Sequence, residues 1–140
     1  MEVRLQFNSH GVSWNQVAEI LRINGMANYS ADLHQKAFEN SHTVVFAFEG
    51  DKLVGFGRAL SDGAYQSALY DVAVLPEYQG NGVGRRMVES LIGHCPGCNF
   101  ILYAAPGKET FYKKLNFNRM KTGMALFTDP EKMRERGFTD

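Results

Sequence analysis

QGNGVGRR, Gln79 to Arg86, places three glycines in five positions and adds two arginines. It directly follows LYDVAVLP, Leu69 to Pro76, an apolar run closed by a proline. Val83, Met87, Val88, Leu91 and Ile92 then recur at helical spacing until Pro96 and Gly97 stop the pattern. The glycines therefore sit at a strand-to-helix junction. The first turn of a helix has N–H groups with no intrahelical partner. The macrodipole adds partial positive charge there. Glycines let a ligand approach the backbone and let φ turn positive. The junction is predicted to hold phosphate or pyrophosphate, with Arg85 and Arg86 adding charge beside it.

Three phosphate loops compete for this stretch. A Walker loop ends in G-K-[ST], but Gly84 is followed by Arg85 and Arg86, which excludes it. A dinucleotide loop needs G-x-G-x-x-G. Gly80 and Gly82 fit, but Arg85 stands at the last position, and too little chain remains after it for most of a doubly wound sheet. The third pattern, Q-x-x-G-x-G, fits Gln79, Gly82 and Gly84 in full.

The chain around the loop is ordinary globular material. Its 140 residues suit one domain over 1–140, and 44% are hydrophobic. Fifteen basic residues balance fifteen acidic ones, so no global field draws in nucleic acid or membrane, and anion binding must be local. No apolar run approaches a membrane span, and the start lacks a signal-peptide layout, so a cytoplasmic location is expected. Cys95 and Cys98 lie after the end of a helix, where the dipole does not activate a thiol, and read as a turn. They lack a convincing fourth ligand with His94, and no metal is expected.

Glu2 to Phe7 alternates like a half-buried strand. Ser13 and Ser30 can cap two helices, the first ended by Gly25, the second with Leu33, Ala37 and Phe38 on one face. Thr43 to Glu49 and Leu53 to Leu60 flank Gly50 and Asp51 as a hairpin. Ala68 to Leu75 is apolar on both faces except for Asp71, so it should be central. Phe100 to Ala105 reads as a buried strand and Gly107 to Leu115 as a short helix. The segment NFNRMKTGMALF reads as one or two terminal strands, and the charged tail as a surface helix. This order predicts an α/β (α+β) fold: a mixed, mostly antiparallel sheet flanked by helices, with one parallel pair made by a β-α-β crossover.

LYDVAVLPEYQGNGVGRRMVESLI resembles the acetyl-coenzyme A motif of the GNAT superfamily of N-acetyltransferases. FYKKLNF, Phe111 to Phe117, is similar to its second landmark, F-Y-x-x-x-G-F. Asn116 replaces the common glycine, and Asn tolerates the left-handed conformation. The resemblance is specific over about Leu69 to Phe117 and weak before Thr43. It implies a strand pair that splays at the loop, with acetyl-CoA as co-substrate. Gln79, Gly80, Asn81, Gly82, Val83, Gly84 and Arg85 would hold the pyrophosphate. The backbone of Val72, Ala73 and Val74 would hold pantetheine, with an N–H near Val74 polarising the thioester carbonyl. Ala104 and Ala105 would line the facing strand. Tyr112 matches the family's tyrosine acid and would protonate the departing sulfur.

The general base stays open between Asp71, Glu49 and water. His10, His34, His42 and His94 read as surface or capping residues. A small-molecule amine is the expected acceptor, in a pocket near Tyr29, Phe38 and Tyr65. The resemblance also allows a homodimer through the C-terminal strands. Two alternatives stand beside an N-acetyltransferase: transfer involving another acyl donor or acceptor, and a non-catalytic module that binds coenzyme A.

Overall fold

The computed structural model describes residues 2–140, which divide into two compact units, 2–102 and 103–140. In the first, five strands form one sheet in sequence order: β1 (Arg4–Gln6), β2 (Thr43–Glu49), β3 (Lys52–Ser61), β4 (Gln66–Val74) and β5 (Asn99–Ile101). The first three pairings are antiparallel and β4–β5 is parallel, as the β-α-β crossover predicts. Gly50, at φ +60, turns the β2–β3 hairpin. Among the described residues no helix is long and apolar enough to cross a membrane.

The helices of this unit obey their sequence signals. Ser13 caps α1 (Trp14–Ile23) and Ser30 caps α2 (Ala31–Glu39), each hydroxyl accepting a first-turn amide. Val17, Ile20, Leu21 and Phe38 from these helices bury a cluster with Phe46, Phe48 and Phe56 of the sheet. α3 (Val83–Gly93) packs on β2, β3 and β4. The expected face of α2 needs correction. Leu33 is 48% exposed, and the buried positions are His34 and Phe38, four residues apart on one stripe.

Alternation along β3 explains why Gly55 and Gly57 flank Phe56. Phe56 joins the α1–α2 cluster, while a Cβ on Gly55 would point toward Met87 Sδ at 3.4 Å and one on Gly57 toward Leu91 Cδ1 at 3.3 Å, both on α3. The Gly55 Cβ would also lie 2.9 Å from the Ala73 carbonyl oxygen, which is backbone and cannot swing aside. Gly55→Ala should therefore push β4 outward at Ala73 and cost about 1–3 kcal/mol. A lowered urea midpoint at unchanged m-value is the expected readout; an unchanged midpoint would show that β4 yields there without loss.

Residues 103–140 form the second unit. α4 (Glu109–Lys113) is short, and α5 (Pro130–Glu135) begins with Pro130 behind an Asp129 cap. The rings of Tyr103, Phe127 and Phe138 meet edge-to-face. Two expectations fail here. The strand expected over Phe100 to Ala105 ends at Ile101, leaving Ala104 and Ala105 in irregular chain. The terminal strands expected from NFNRMKTGMALF are absent among the described residues. A strand needs a partner backbone, and pattern alone does not supply one; here Met124 and Leu126 stand fully exposed.

Candidate functional site

β4 changes character halfway along. Its ladder with β5 runs only from Gln66–Asn99 to Ala68–Ile101. Beyond Ala68 the strand keeps β3 on one edge and, among the described residues, has no ladder on the other. On the β3 side the register breaks: between the pairs Phe56–Ala73 and Arg58–Tyr70, Gly57 alone opposes Asp71 and Val72. This is a β-bulge, which bends a strand and re-aims the residues beyond it. Asp71 sits at φ +56, a conformation that Asp tolerates better than most residues. Gly57 permits the fit, since a Cβ there would meet Val72 Cγ2 at 3.2 Å as well as Leu91.

The re-aimed end of β4 leads through one 3₁₀ turn, Pro76–Tyr78, into the glycine stretch. Gly80 and Gly82 take φ of +82° and +80°, left-handed values that glycine adopts without penalty. A Cβ built on either would meet nothing within 4 Å, so the space before the loop is open. Gly82 is the N-cap of α3, and no side chain caps that helix. Its first-turn amides therefore carry no capping side chain that a ligand would have to displace. The arrangement fits a pyrophosphate.

The polar residues of the loop divide their work in ways the motif does not show. The Gln79 side-chain amide donates to the Val74 carbonyl at 2.9 Å and to Asn24 Oδ1 at 3.1 Å. Asn24, just past α1, donates to the same carbonyl at 3.3 Å. Gln79 thus ties the loop to the end of β4. Arg85 pairs with Glu89 at 3.0 Å on the exposed face of α3. Arg86, expected beside the anion, instead donates to the Val3 carbonyl at 2.9 Å, so its charge goes to anchoring the chain before β1.

The two carboxylates considered as bases are both engaged. Tyr78 donates its hydroxyl proton to Glu49, and this contact pushes the Tyr78 phenol above its ordinary range. Asp71 pairs with Arg58 at 2.7 Å, both side chains about 85% buried. Arg58 also donates to Ser41 Oγ at 3.3 Å and lies over the rings of Phe38 and Tyr70.

One residue expected at the surface is not there. His34 is 2% exposed, and its Nε2 has no hydrogen-bond partner. An unsatisfied buried polar atom costs about 1–3 kcal/mol. Burial holds the imidazole below its ordinary range; the Asp71 carboxylate opposes that shift and Arg58 adds to it. The Tyr29 ring stands edge-on to it at 5.8 Å and is itself 59% exposed. Phe38, expected to line an acceptor pocket, is core, 2% exposed. The helical spacing of His34 and Phe38 was the available signal for a buried histidine.

In the second unit, Tyr112 lies on α4 with its ring edge-on to Phe111 at 4.9 Å and to Phe117 at 5.7 Å. Burial pushes its phenol up to about 12. Asn116 takes φ +71, as its place in the motif requires.

Residues 13–117 match the profile of the Acetyltransferase (GNAT) family. The chain belongs to the GNAT family. Relatives of this GNAT chain include an uncharacterized N-acetyltransferase, ycf52, from Pyropia yezoensis. It is 33% identical over 95 residues, covering 63% of this chain and 55% of the relative. Another is the chloroplastic serotonin N-acetyltransferase 2 of Oryza sativa subsp. japonica, 30% identical over 79% of this chain and 58% of its own length. The chain thus spans a little over half the length of these curated relatives. Among solved structures, glucosamine-6-phosphate N-acetyltransferase from Arabidopsis thaliana aligns over 92% of this chain and all of its own, with a TM-score of 0.74 at 18% identity. A GNAT-family acetyltransferase from Streptococcus pneumoniae gives 0.77 at 21% identity over 91% and 98%. At these identities the likeness is one of fold.

Proposed function

We propose that this chain transfers the acetyl group of acetyl-CoA to a primary amine of a small molecule. One observation carries the reading: the ladder-free end of β4 leads, through one 3₁₀ turn, into a glycine-opened helix start that no side chain caps. A ligand with a pyrophosphate and an amide-rich arm matches that pair of features, with the pyrophosphate on the amides of Gly80 to Arg85 and the arm along Val72 to Val74. Family membership supports acetyl-CoA as the donor.

The chemistry asks little of the protein beyond placement. The amine nitrogen bonds to the thioester carbon while an N–H near Val74 supports the negative charge growing on the carbonyl oxygen. The C–S bond then breaks, and the departing sulfur needs a proton; Tyr112, at the position of the family's tyrosine acid, is the residue proposed to supply it. The rice relative, named for serotonin, makes an arylalkylamine a sensible first acceptor.

Saturating acetyl-CoA should raise the melting temperature. At 100 times Kd the linkage is about 2.7 kcal/mol, or about 8 °C for a chain of this size. S-acetylpantetheine, which lacks the pyrophosphate, should give a much smaller shift. No shift with saturating acetyl-CoA would reject the reading. Thiol release with tryptamine, spermidine and a lysine peptide then tests the acceptor class; silence with all three beside a full thermal shift would favour a binding module.

A further inference from the structure

We propose that His34 takes the proton from the acceptor amine, with Tyr29 as the side chain that covers and uncovers it. The assignment rests on the acetyltransferase reading and supplies the proton acceptor that this reading lacks.

Neither Glu49 nor Asp71 is free to serve. Glu49 already accepts the Tyr78 hydroxyl, and Asp71 is held by Arg58. His34 differs from both. Its Nε2 is buried and unpaired, and native proteins rarely keep such an atom without a use or an ordered water. A core position on α2 next to Phe38 has no need of an imidazole. His34 also stands beside the bulge: it lies one helical turn from Phe38, whose ring sits under the Arg58 guanidinium that holds Asp71. Asp71, whose charge it feels, immediately precedes Val72, where the bound thioester arm is proposed to begin. The groups acting on it are the Asp71 carboxylate from β4, the Arg58 guanidinium from β3 and the Tyr29 ring from the chain before α2. Tyr29 is mostly solvent-exposed, so moving it aside disturbs little packing.

The step balances simply. As the amine nitrogen bonds to the carbonyl carbon, its excess proton passes to Nε2. The electron pair of the C–S bond leaves with sulfur, which is protonated in a separate step, and the imidazolium later returns its proton to solvent. Asp71 offsets the positive charge while His34 carries it. Burial keeps the imidazole below its ordinary range, so it is neutral and ready at pH 7. Activity should therefore decline as pH falls through the acid side of that range.

The test uses His34→Gln and His34→Leu in the full chain, with whichever of tryptamine, spermidine or the lysine peptide turns over fastest. Both variants should lower kcat/KM by about 10²-fold or more. The histidine-dependent acid limb of the wild-type pH profile should vanish, and stabilisation by acetyl-CoA should persist. His34→Leu should melt no lower than wild type, because it removes an unsatisfied atom. Three results would each overturn the assignment: kcat/KM within threefold of wild type, an unchanged acid limb, or loss of acetyl-CoA stabilisation together with activity, which marks a purely structural histidine. A wild-type protein that neither binds acetyl-CoA nor acetylates any probe removes the acetyltransferase reading itself, a separate and distinguishable failure.

Discussion

Tyr112→Phe should lower kcat by about 10²–10³-fold while leaving the thermal shift with acetyl-CoA nearly intact. The magnitude is that of removing one donor from a site where charge develops. The ring would keep its edge-on contacts with Phe111 and Phe117, so packing survives and only the hydroxyl is lost. Burial sets how that hydroxyl works. A phenol pushed up to about 12 stays protonated at every ordinary assay pH. A free thiolate, with a conjugate acid near 8.5, is too weak a base to strip it. On the proposed mechanism Tyr112 therefore acts as a hydrogen-bond donor to the departing sulfur and passes a proton on only as solvent reprotonates the phenol. The wild-type rate should accordingly hold on the alkaline side until the phenol ionises, without a break near 10, where an unburied tyrosine would titrate. A Tyr112→Phe enzyme within threefold of wild type from pH 7 to 10 would leave the residue a packing role only.

The difference between what was and was not legible in the sequence has a physical basis. Short-range signals were reliable. Ser13 and Ser30 cap their helices, and Gly50 turns its hairpin. Gly80 and Gly82 take the left-handed values that their density suggested, and Asn116 does the same. Each of these needs only a few neighbours along the chain. The failures all depended on a partner remote in sequence. The expected C-terminal strands had the right residues, but a ladder needs a second backbone. Arg86 looked like loop charge because it adjoins the loop, yet Val3, 83 residues away in sequence, claims it. Asn24 gave no sign that it helps hold the Val74 carbonyl. The Arg58–Asp71 pair is likewise set between strands, where the register break across β3 and β4 brings the two together. His34 is the intermediate case. Its spacing from Phe38 is visible, but histidine is intermediate between core and surface residues, so spacing alone does not bury it.

The Arg58–Asp71 pair should be strongly asymmetric when broken. Arg58→Met is expected to cost about 3 kcal/mol or more, because it leaves a carboxylate about 85% buried with its ion-pair partner gone. Asp71→Asn should cost much less. Asn keeps the tolerance for φ +56 that the bulge requires. Arg58 would retain the Ser41 hydroxyl and the faces of Phe38 and Tyr70, and an arginine over aromatic rings is still partly compensated. The double variant Arg58→Met/Asp71→Asn should recover most of the loss, since no lone charge remains. Urea midpoints for the four proteins give the cycle directly. Equal costs for the two single variants would mean that the pair is wetter than its burial implies. The consequence extends beyond stability, because the same pair braces the bulge that re-aims Val72 to Val74. Arg58→Met should therefore also raise the KM for acetyl-CoA, and the double variant should restore stability more fully than it restores KM. A methionine can fill the space that the guanidinium leaves, but it cannot hold Asp71, or the asparagine in its place, at the angle on which the rest of β4 depends.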